Sequence, residues 1–250
     1  GSRIRNLLTD CSKRSIEWLS LFMIEYQDPL IEGRLISRYK RFFADIDTND
    51  GVITAHCANT GRMTGLLEEG SRVWFRKQPP GRQLAFAWEL VEVASGVACI
   101  NTARANELLF STDLSPWIAD VTCVRREPKV GSHRFDLELS RNGQTVYVEI
   151  KSVTLCDDSG AGLFPDAPSE RATQHVNLLS EMAVDGLETH LVFMAMHTGI
   201  QCVKPHRALD RAFADACIEA RDAGVTFHAL RAEITPHRIQ VTGAIPVKLD

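Results

Sequence analysis

No CxxC pair occurs anywhere in the chain of 250 residues, and its seven cysteines (Cys11, Cys57, Cys99, Cys123, Cys156, Cys202, Cys217) stand at wide intervals. An odd, scattered set supports neither a disulfide framework, a zinc ribbon nor a thioredoxin-like site. Reduced thiols packed as small hydrophobes in a cytoplasmic protein are the expectation. The eight histidines show no HExxH or similar ligand spacing, so the common zinc-hydrolase signatures are missing too. Long apolar runs are also lacking. The stretch Trp18 to Ile24 is broken by Ser20 and falls far short of the roughly 20 residues of a membrane helix. No basic segment followed by an apolar run and a small-residue cleavage site is seen. The expected setting is the cytoplasm, with nucleoid association open and no membrane partner. Repeats, low-complexity tracts and Pro/Gly-rich linkers are absent as well.

What is present is ordinary globular usage, with 44% hydrophobic and 24% charged residues, in a chain long enough to bury a sizeable core. The net charge of −4 does not advertise a polyanion partner, but the charge is uneven. Residues 34–90 carry more Arg and Lys (Arg34, Arg38, Lys40, Arg41, Arg62, Arg72, Arg76, Lys77, Arg82) than acids, whereas residues 152–250 are acidic. Local field counts as well as total charge, so the first region suits a polyanion or is simply a surface of different sign.

Gly1-Ser2 resembles an expression-tag remnant. Apolar periodicity predicts a helix from Lys13 to Tyr26, and Met23 is a candidate initiator; residues 1–33 read as an extension. From Leu35 the chain turns to short β-like runs: Leu35–Ile46, Val52–Cys57, Arg72–Arg76, Leu84–Val93 and Val97–Ile100, punctuated by Gly51, Gly70, Gly81 and Gly96. Five strands in so short a span predict an OB-like five-stranded barrel over 34–100. Within it, Arg38-Tyr39-Lys40-Arg41-Phe42-Phe43 offers either phosphate contacts with stacking rings or an amphipathic strand with its rings in the core.

Residues 101–250 read as mixed α/β. Helices are expected over Thr102–Phe110, Pro116–Cys123, Ser169 to about Asp185, and Leu209 to Gly224. A continuous apolar run, Leu191–Met196, reads as a buried central strand, and Val225–Leu230 as another. Arg134–Ser140 and Thr145–Ser152 flank Asn142-Gly143, a strong hairpin signal. In strands, residues two apart share a face, so Glu149 and Lys151 project together. If Asp136 aligns with them, two carboxylates and an ammonium converge, a set that suits Mg²⁺ or Mn²⁺ and phosphodiester chemistry. A solvated polar face is the plain alternative. Arg171, Gln174 and His175 follow at helical spacing and are expected on one helix face toward this site.

The chain resembles the sugar fermentation stimulation protein A (SfsA) family. The resemblance rests on RYKRFFADI (Arg38–Ile46), HCANTGRMTG (His56–Gly65), AWEL (Ala87–Leu90), NTARAN (Asn101–Asn106), GSHRFD (Gly131–Asp136), YVEIKSVTL (Tyr147–Leu155), FPDAPSER (Phe164–Arg171) and IPVKL (Ile245–Leu249). It spans Leu35 to Leu249, with Ala58 and Ser169 as departures. It implies an OB-like domain joined to a PD-(D/E)xK nuclease-like mixed-sheet domain, DNA binding without marked sequence preference, and a role in regulating sugar (maltose) metabolism. Carried onto this chain, the site falls on Glu127, Asp136, Glu149 and Lys151, with Asp136, Glu149 and the Ile150 carbonyl as ligands of Mg²⁺ or Mn²⁺. Arg38, Lys40, Arg41 and Arg62 would track the phosphate backbone, joined by Arg171, Gln174 and His175. The rival reading is a Mg²⁺-dependent DNA or RNA nuclease using Asp136, Glu149 and Lys151. The oligomeric state is open, a homodimer included.

Overall fold

The computed structural model describes residues 23–110, 114, 116–131 and 133–250. Its strands begin with β1 (Met23–Glu25), β2 (Ile31–Tyr39), β3 (Phe43–Thr48), β4 (Gly51–Cys57), β5 (Arg72–Lys77), β6 (Phe86–Val93) and β7 (Gly96–Cys99). Helix α1 (Ala103–Phe110) leads to β8 (Thr122–Arg126), β9 (Lys129–Val130), β10 (His133–Arg134), β11 (Leu137–Arg141), β12 (Gln144–Val153), β13 (Leu155–Cys156) and β14 (Ala161–Phe164). Helix α2 (Glu170–Val184), β15 (Glu188–Ala195), β16 (Cys202–Pro205), helix α3 (Arg211–Ala223), β17 (Thr226–Ile234) and β18 (Arg238–Ile245) complete the order.

The first sheet runs β4-β3-β2-β5-β6-β7, and parallel pairing of β4 with β6 closes β2 to β6 into the expected OB barrel. Leu35, Ile46, Val73, Phe75, Trp88 and Val91 fill it. On β5 and β6 the alternate residues Trp74 and Leu90 point outward into a different apolar cluster. Both faces of these strands are thus buried over most of their length.

The second sheet is mixed, in the order β1-β18-β17-β15-β12-β11-β8, as expected of a mixed-sheet α/β domain. Its centre is parallel (β12, β15, β17), and β11 and β18 flank it antiparallel. Helices α2 and α3 cover one face through Val176, Leu179, Phe213 and Cys217. Helix α1 and the outer wall of the barrel cover the other, where Leu108, Ile150 and Met194 share a cluster with Trp74, Leu90 and Cys99. Helix α2 starts at Ser169, whose side chain accepts the Ala172 N–H, a cap worth about 1 kcal/mol. Gly224 ends α3 in the left-handed region, with φ 108°. No helix among the described residues is long and apolar enough to cross a membrane.

Several sequence expectations are corrected. Leu35–Ile46 is not one strand but a hairpin, because Lys40 and Arg41 take φ of 49° and 64° and reverse the chain. Without Gly or Asn there, nothing in the sequence announced the turn. Of the helix expected over Lys13–Tyr26, the part to residue 22 lies outside the described residues. Met23–Glu25 is instead an edge strand on β18. Pro116–Cys123 is not a helix. Asp120 at φ 56° breaks it after a single turn on Leu114, and Thr122 onward pairs with β11. The strand expected from Arg134 starts only at Leu137, leaving Asp136 at a bend.

Candidate functional site

The site forms where a strand runs out. Strand β11 pairs with β12 only as far as Leu137–Val148, while β12 continues to Val153 along β15. The edge of β12 beyond Val148 is therefore open on the β11 side. Asp136 turns into this gap. Its Oδ2 accepts the Ile150 N–H at 2.7 Å, and its Oδ1 accepts Asn106 Nδ2 at 2.6 Å. The N–H and C=O of one strand residue point the same way, so the Ile150 carbonyl faces the same edge.

Glu149 and Lys151 alternate onto the side of β12 covered by α2. Glu149 is 3% exposed. Its Oε1 takes Lys151 Nζ at 2.6 Å and lies 2.6 Å from His175 Nδ1 of α2. Its Oε2 is buried without a hydrogen-bond partner. Burial pushes the Asp136 carboxyl up to about 6, the Glu149 charge adds to this, and the Ile150 N–H resists it. Burial acts on Glu149 in the same sense, but Lys151 and His175 together outweigh it and hold that carboxyl below the usual range. Two neighbouring acids are thus driven apart in acidity.

Those oxygens fit a hard cation. Two carboxylates and a carbonyl are the donor class that Mg²⁺, Mn²⁺ and Ca²⁺ take, and an orphaned buried oxygen is what a cation would satisfy. Among the described residues no group of three or more His, Cys, Asp or Glu is arranged around a cation position, so water or phosphate oxygens would supply the rest.

Asp136, Glu149, Ile150, Lys151 and His175 are brought together, and Asn106 joins them unforeseen. It sits on α1, far upstream, and only its place in the NTARAN stretch singled it out. Glu127 is not brought in. Its backbone N–H donates to the Asp136 carbonyl at 2.9 Å, but its side chain is exposed and 3.4 Å from Arg134. Arg171 and Gln174 do not share the burial of His175: both are exposed, and Gln174 donates to Glu170. The helical spacing was right, but the α2 face meets the site only at its inner edge.

Between the barrel and the second domain lies a cleft of about 740 Å³. Arg38, Arg41 and Arg62 line its barrel side, Ser152 and Pro165 to Ser169 the other. Ser152 follows Lys151 on β12 and by alternation faces away from it, and neither Asp136, Glu149 nor Lys151 lines the cleft. Asp166 spans the cleft: its Oδ2 accepts the Met63 N–H at 2.9 Å. A Cβ at Gly61 would lie 2.6 Å from that carboxylate, so a larger residue there would push the Asp166 side chain from its place. Arg38 braces the barrel loops, donating to the Arg41 carbonyl at 3.0 Å and the Asn59 carbonyl at 2.7 Å. Lys40, Arg41 and Arg62 are exposed. Lys40 and Arg41 in the left-handed region cost about 1–2 kcal/mol each. In the β11–β12 hairpin, by contrast, Asn142-Gly143 makes the turn with residues suited to it.

Residues 101–238 match the family described as sugar fermentation stimulation protein RE domain, and residues 36–100 match the SfsA N-terminal OB domain. A sugar fermentation stimulation protein homolog of Marinomonas sp. (strain MWYL1) is 40% identical over 233 residues, covering 90% of this chain and 90% of that protein. That of Azotobacter vinelandii is 41% identical over 235 residues, covering 90% and 100%. The structure of Pyrococcus furiosus SfsA in complex with Ca²⁺ is similar with TM-score 0.83 at 25% identity, covering 90% of this chain and 98% of that one.

Proposed function

The chain belongs to the sugar fermentation stimulation protein family, and on that premise we propose that it binds DNA, largely regardless of sequence, and holds Mg²⁺ or Mn²⁺ between Asp136 and Glu149. The observation that carries the metal centre is the buried, unpartnered Glu149 Oε2 beside the Asp136 carboxylate at an open strand edge. The Ca²⁺ complex of the Pyrococcus furiosus relative supports it, since Ca²⁺ is a cation of the same hard class. The arginines lining the cleft support the DNA reading. Phosphate contacts of this kind position a duplex or a single strand without reading bases.

When bound, a cation there would polarise a phosphoryl oxygen and acidify a coordinated water. The chain's own residues set the rest. Asp136, Glu149 and the Ile150 carbonyl would hold it. Asn106 and the Ile150 N–H fix the Asp136 carboxylate, and His175 fixes Glu149. Lys151 Nζ places a positive charge against the pair, where it can orient water or offset a phosphate.

The second reading is phosphodiester hydrolysis of DNA or RNA. The Lys151–Glu149 contact favours it, because buried acids beside a polyanion hinder a mere binding platform. A regulatory role in sugar metabolism, which the relatives' name supports, is compatible with either. The test is calorimetric titration of Mn²⁺ into the wild type and Asp136→Asn, with cleavage of plasmid and single strands in Mg²⁺, Mn²⁺ or EDTA. Mn²⁺ binding lost in Asp136→Asn is the expected result. Equal binding by both proteins would refute the metal centre, and metal-dependent cleavage lost in Asp136→Asn would establish the second reading.

A further inference from the structure

Among the described residues, Tyr39 and Phe42 are the two aromatic side chains that stand exposed, at 39% and 47%. Both lie at the tip of the β2–β3 hairpin. Tyr39 is paired with Phe43 across the hairpin, and their rings stack with centroids 5.6 Å apart and planes 15° from parallel. The Tyr39 hydroxyl donates to Asp45 Oδ1 at 3.2 Å, an oxygen that also accepts Thr54 Oγ1 at 2.7 Å. The ring is thus fixed at its edge and on one face before any ligand arrives. Lys40 and Arg41 stand between the exposed rings, and Arg41 also lines the cleft.

Single exposed apolar residues need no explanation. Two exposed rings separated by two exposed cations, with the turn held by Arg38, are a different matter. Rings interleaved with cations are what an unpaired nucleotide segment needs: a π-face for each base and a positive charge for the phosphate beside it. In a duplex the base faces are already covered by their neighbours, so only unpaired bases can use the rings. We infer that the β2–β3 tip is a base-stacking element that makes this chain prefer single-stranded over duplex nucleic acid. One base extends the Tyr39–Phe43 stack, a second lies against Phe42, and Lys40 and Arg41 take the intervening phosphates. The inference rests on the proposed nucleic-acid reading of the cleft and adds the class of substrate.

The experiment uses the full chain with labelled oligothymidylate and a mixed-sequence duplex of equal length, read by fluorescence anisotropy at several salt concentrations. The wild type should bind the single strand more tightly. Phe42→Leu keeps an apolar side chain but removes the ring, and should weaken single-strand binding roughly tenfold while leaving duplex binding and the salt slope unchanged. Phe42→Trp should retain the affinity, and its indole fluorescence should be quenched by the single strand but not by the duplex. Phe42 is exposed, so both variants should melt as the wild type does. If Phe42→Leu bound both ligands as the wild type does, or lost both equally, the stacking element would be refuted while the cleft reading stood. Wild-type protein that bound neither ligand would instead overturn the cleft reading, and with it this inference.

Discussion

Asp136 Oδ2 lies 2.7 Å from the backbone nitrogen of Ile150, so a side chain fills the hydrogen-bonding position that β11 vacates. This contact ties the carboxylate to the strand edge and places it beside Glu149, and the pH behaviour of the fold follows from it.

The Asp136 carboxyl is raised to about 6 in the folded chain. Between the unfolded value and that one, the folded state holds more protons than the unfolded state, so stability falls as pH rises through this window. The full penalty, at most about 3 kcal/mol, applies above pH 6. Metal-free protein should therefore melt at a higher temperature near pH 5 than near pH 7.5. Mn²⁺ should raise the melting temperature strongly at pH 7.5 and weakly at pH 5. Asp136→Asn should flatten both effects and melt above the metal-free wild type at pH 7.5, provided Asn106 turns its amide oxygen toward the new donor. Scanning calorimetry at the two pH values, with Mn²⁺ or EDTA, checks this.

Lys151 touches one oxygen of a carboxylate that is almost wholly buried. Removing it leaves Glu149 with His175 alone, a loss of about 1–3 kcal/mol for an under-paired buried charge. Lys151→Met should therefore melt lower than the wild type at neutral pH, yet still gain stability from Mn²⁺. Any metal-dependent cleavage should vanish. Cleavage at wild-type rate in this variant would show that the activity resides elsewhere.

The sequence displayed this site unevenly. Glu149 and Lys151 were legible because strand alternation puts residues two apart on one face, and Asn142-Gly143 announced the hairpin that places them. Helix α2 was legible from Ser169 at its cap position and Gly186 at its end. Asn106 was hidden, since contact across thirty positions leaves no local signal. The turn at Lys40-Arg41 was hidden because its residues are poor formers of the conformation they adopt. Strand β1 was misread as helix because three residues are too few to show a period, and their partner β18 lies at the other end of the chain.

The arginines of the cleft should separate into two kinds. Arg41 and Arg62 are exposed, so changing either to Ala should lower the slope of log affinity against log salt by about 1 and weaken all sequences alike. The Arg38 guanidinium already donates to the Arg41 and Asn59 carbonyls. Arg38→Ala should release the strained turn, lowering the melting temperature and weakening binding together, and Arg38→Lys should restore little because it cannot reach both carbonyls. Anisotropy titrations over a salt series, paired with thermal melts, distinguish charge from brace.

The family matches and the strand pattern divide the chain near residue 100, which invites the expectation that the second half folds alone. The packing argues otherwise. Leu30, Trp74, Leu90 and Cys99 share one apolar cluster with Leu108, Ile150, Met194 and Leu230. Backbone bonds from Cys99 to Met196 and from Thr198 to Val97 join the two halves at 2.9 Å each. A fragment starting at Ile100 would expose that cluster, lose these bonds and lose β1 from the edge of β18. Exposed apolar surface and an unpaired strand edge are both routes to association. The fragment should therefore be recovered largely aggregated or melt well below the full chain, and limited proteolysis of the full chain should not cut between Val97 and Asn101. A monomeric fragment with an unchanged melting temperature would show that the shared cluster contributes little and that the halves are independent.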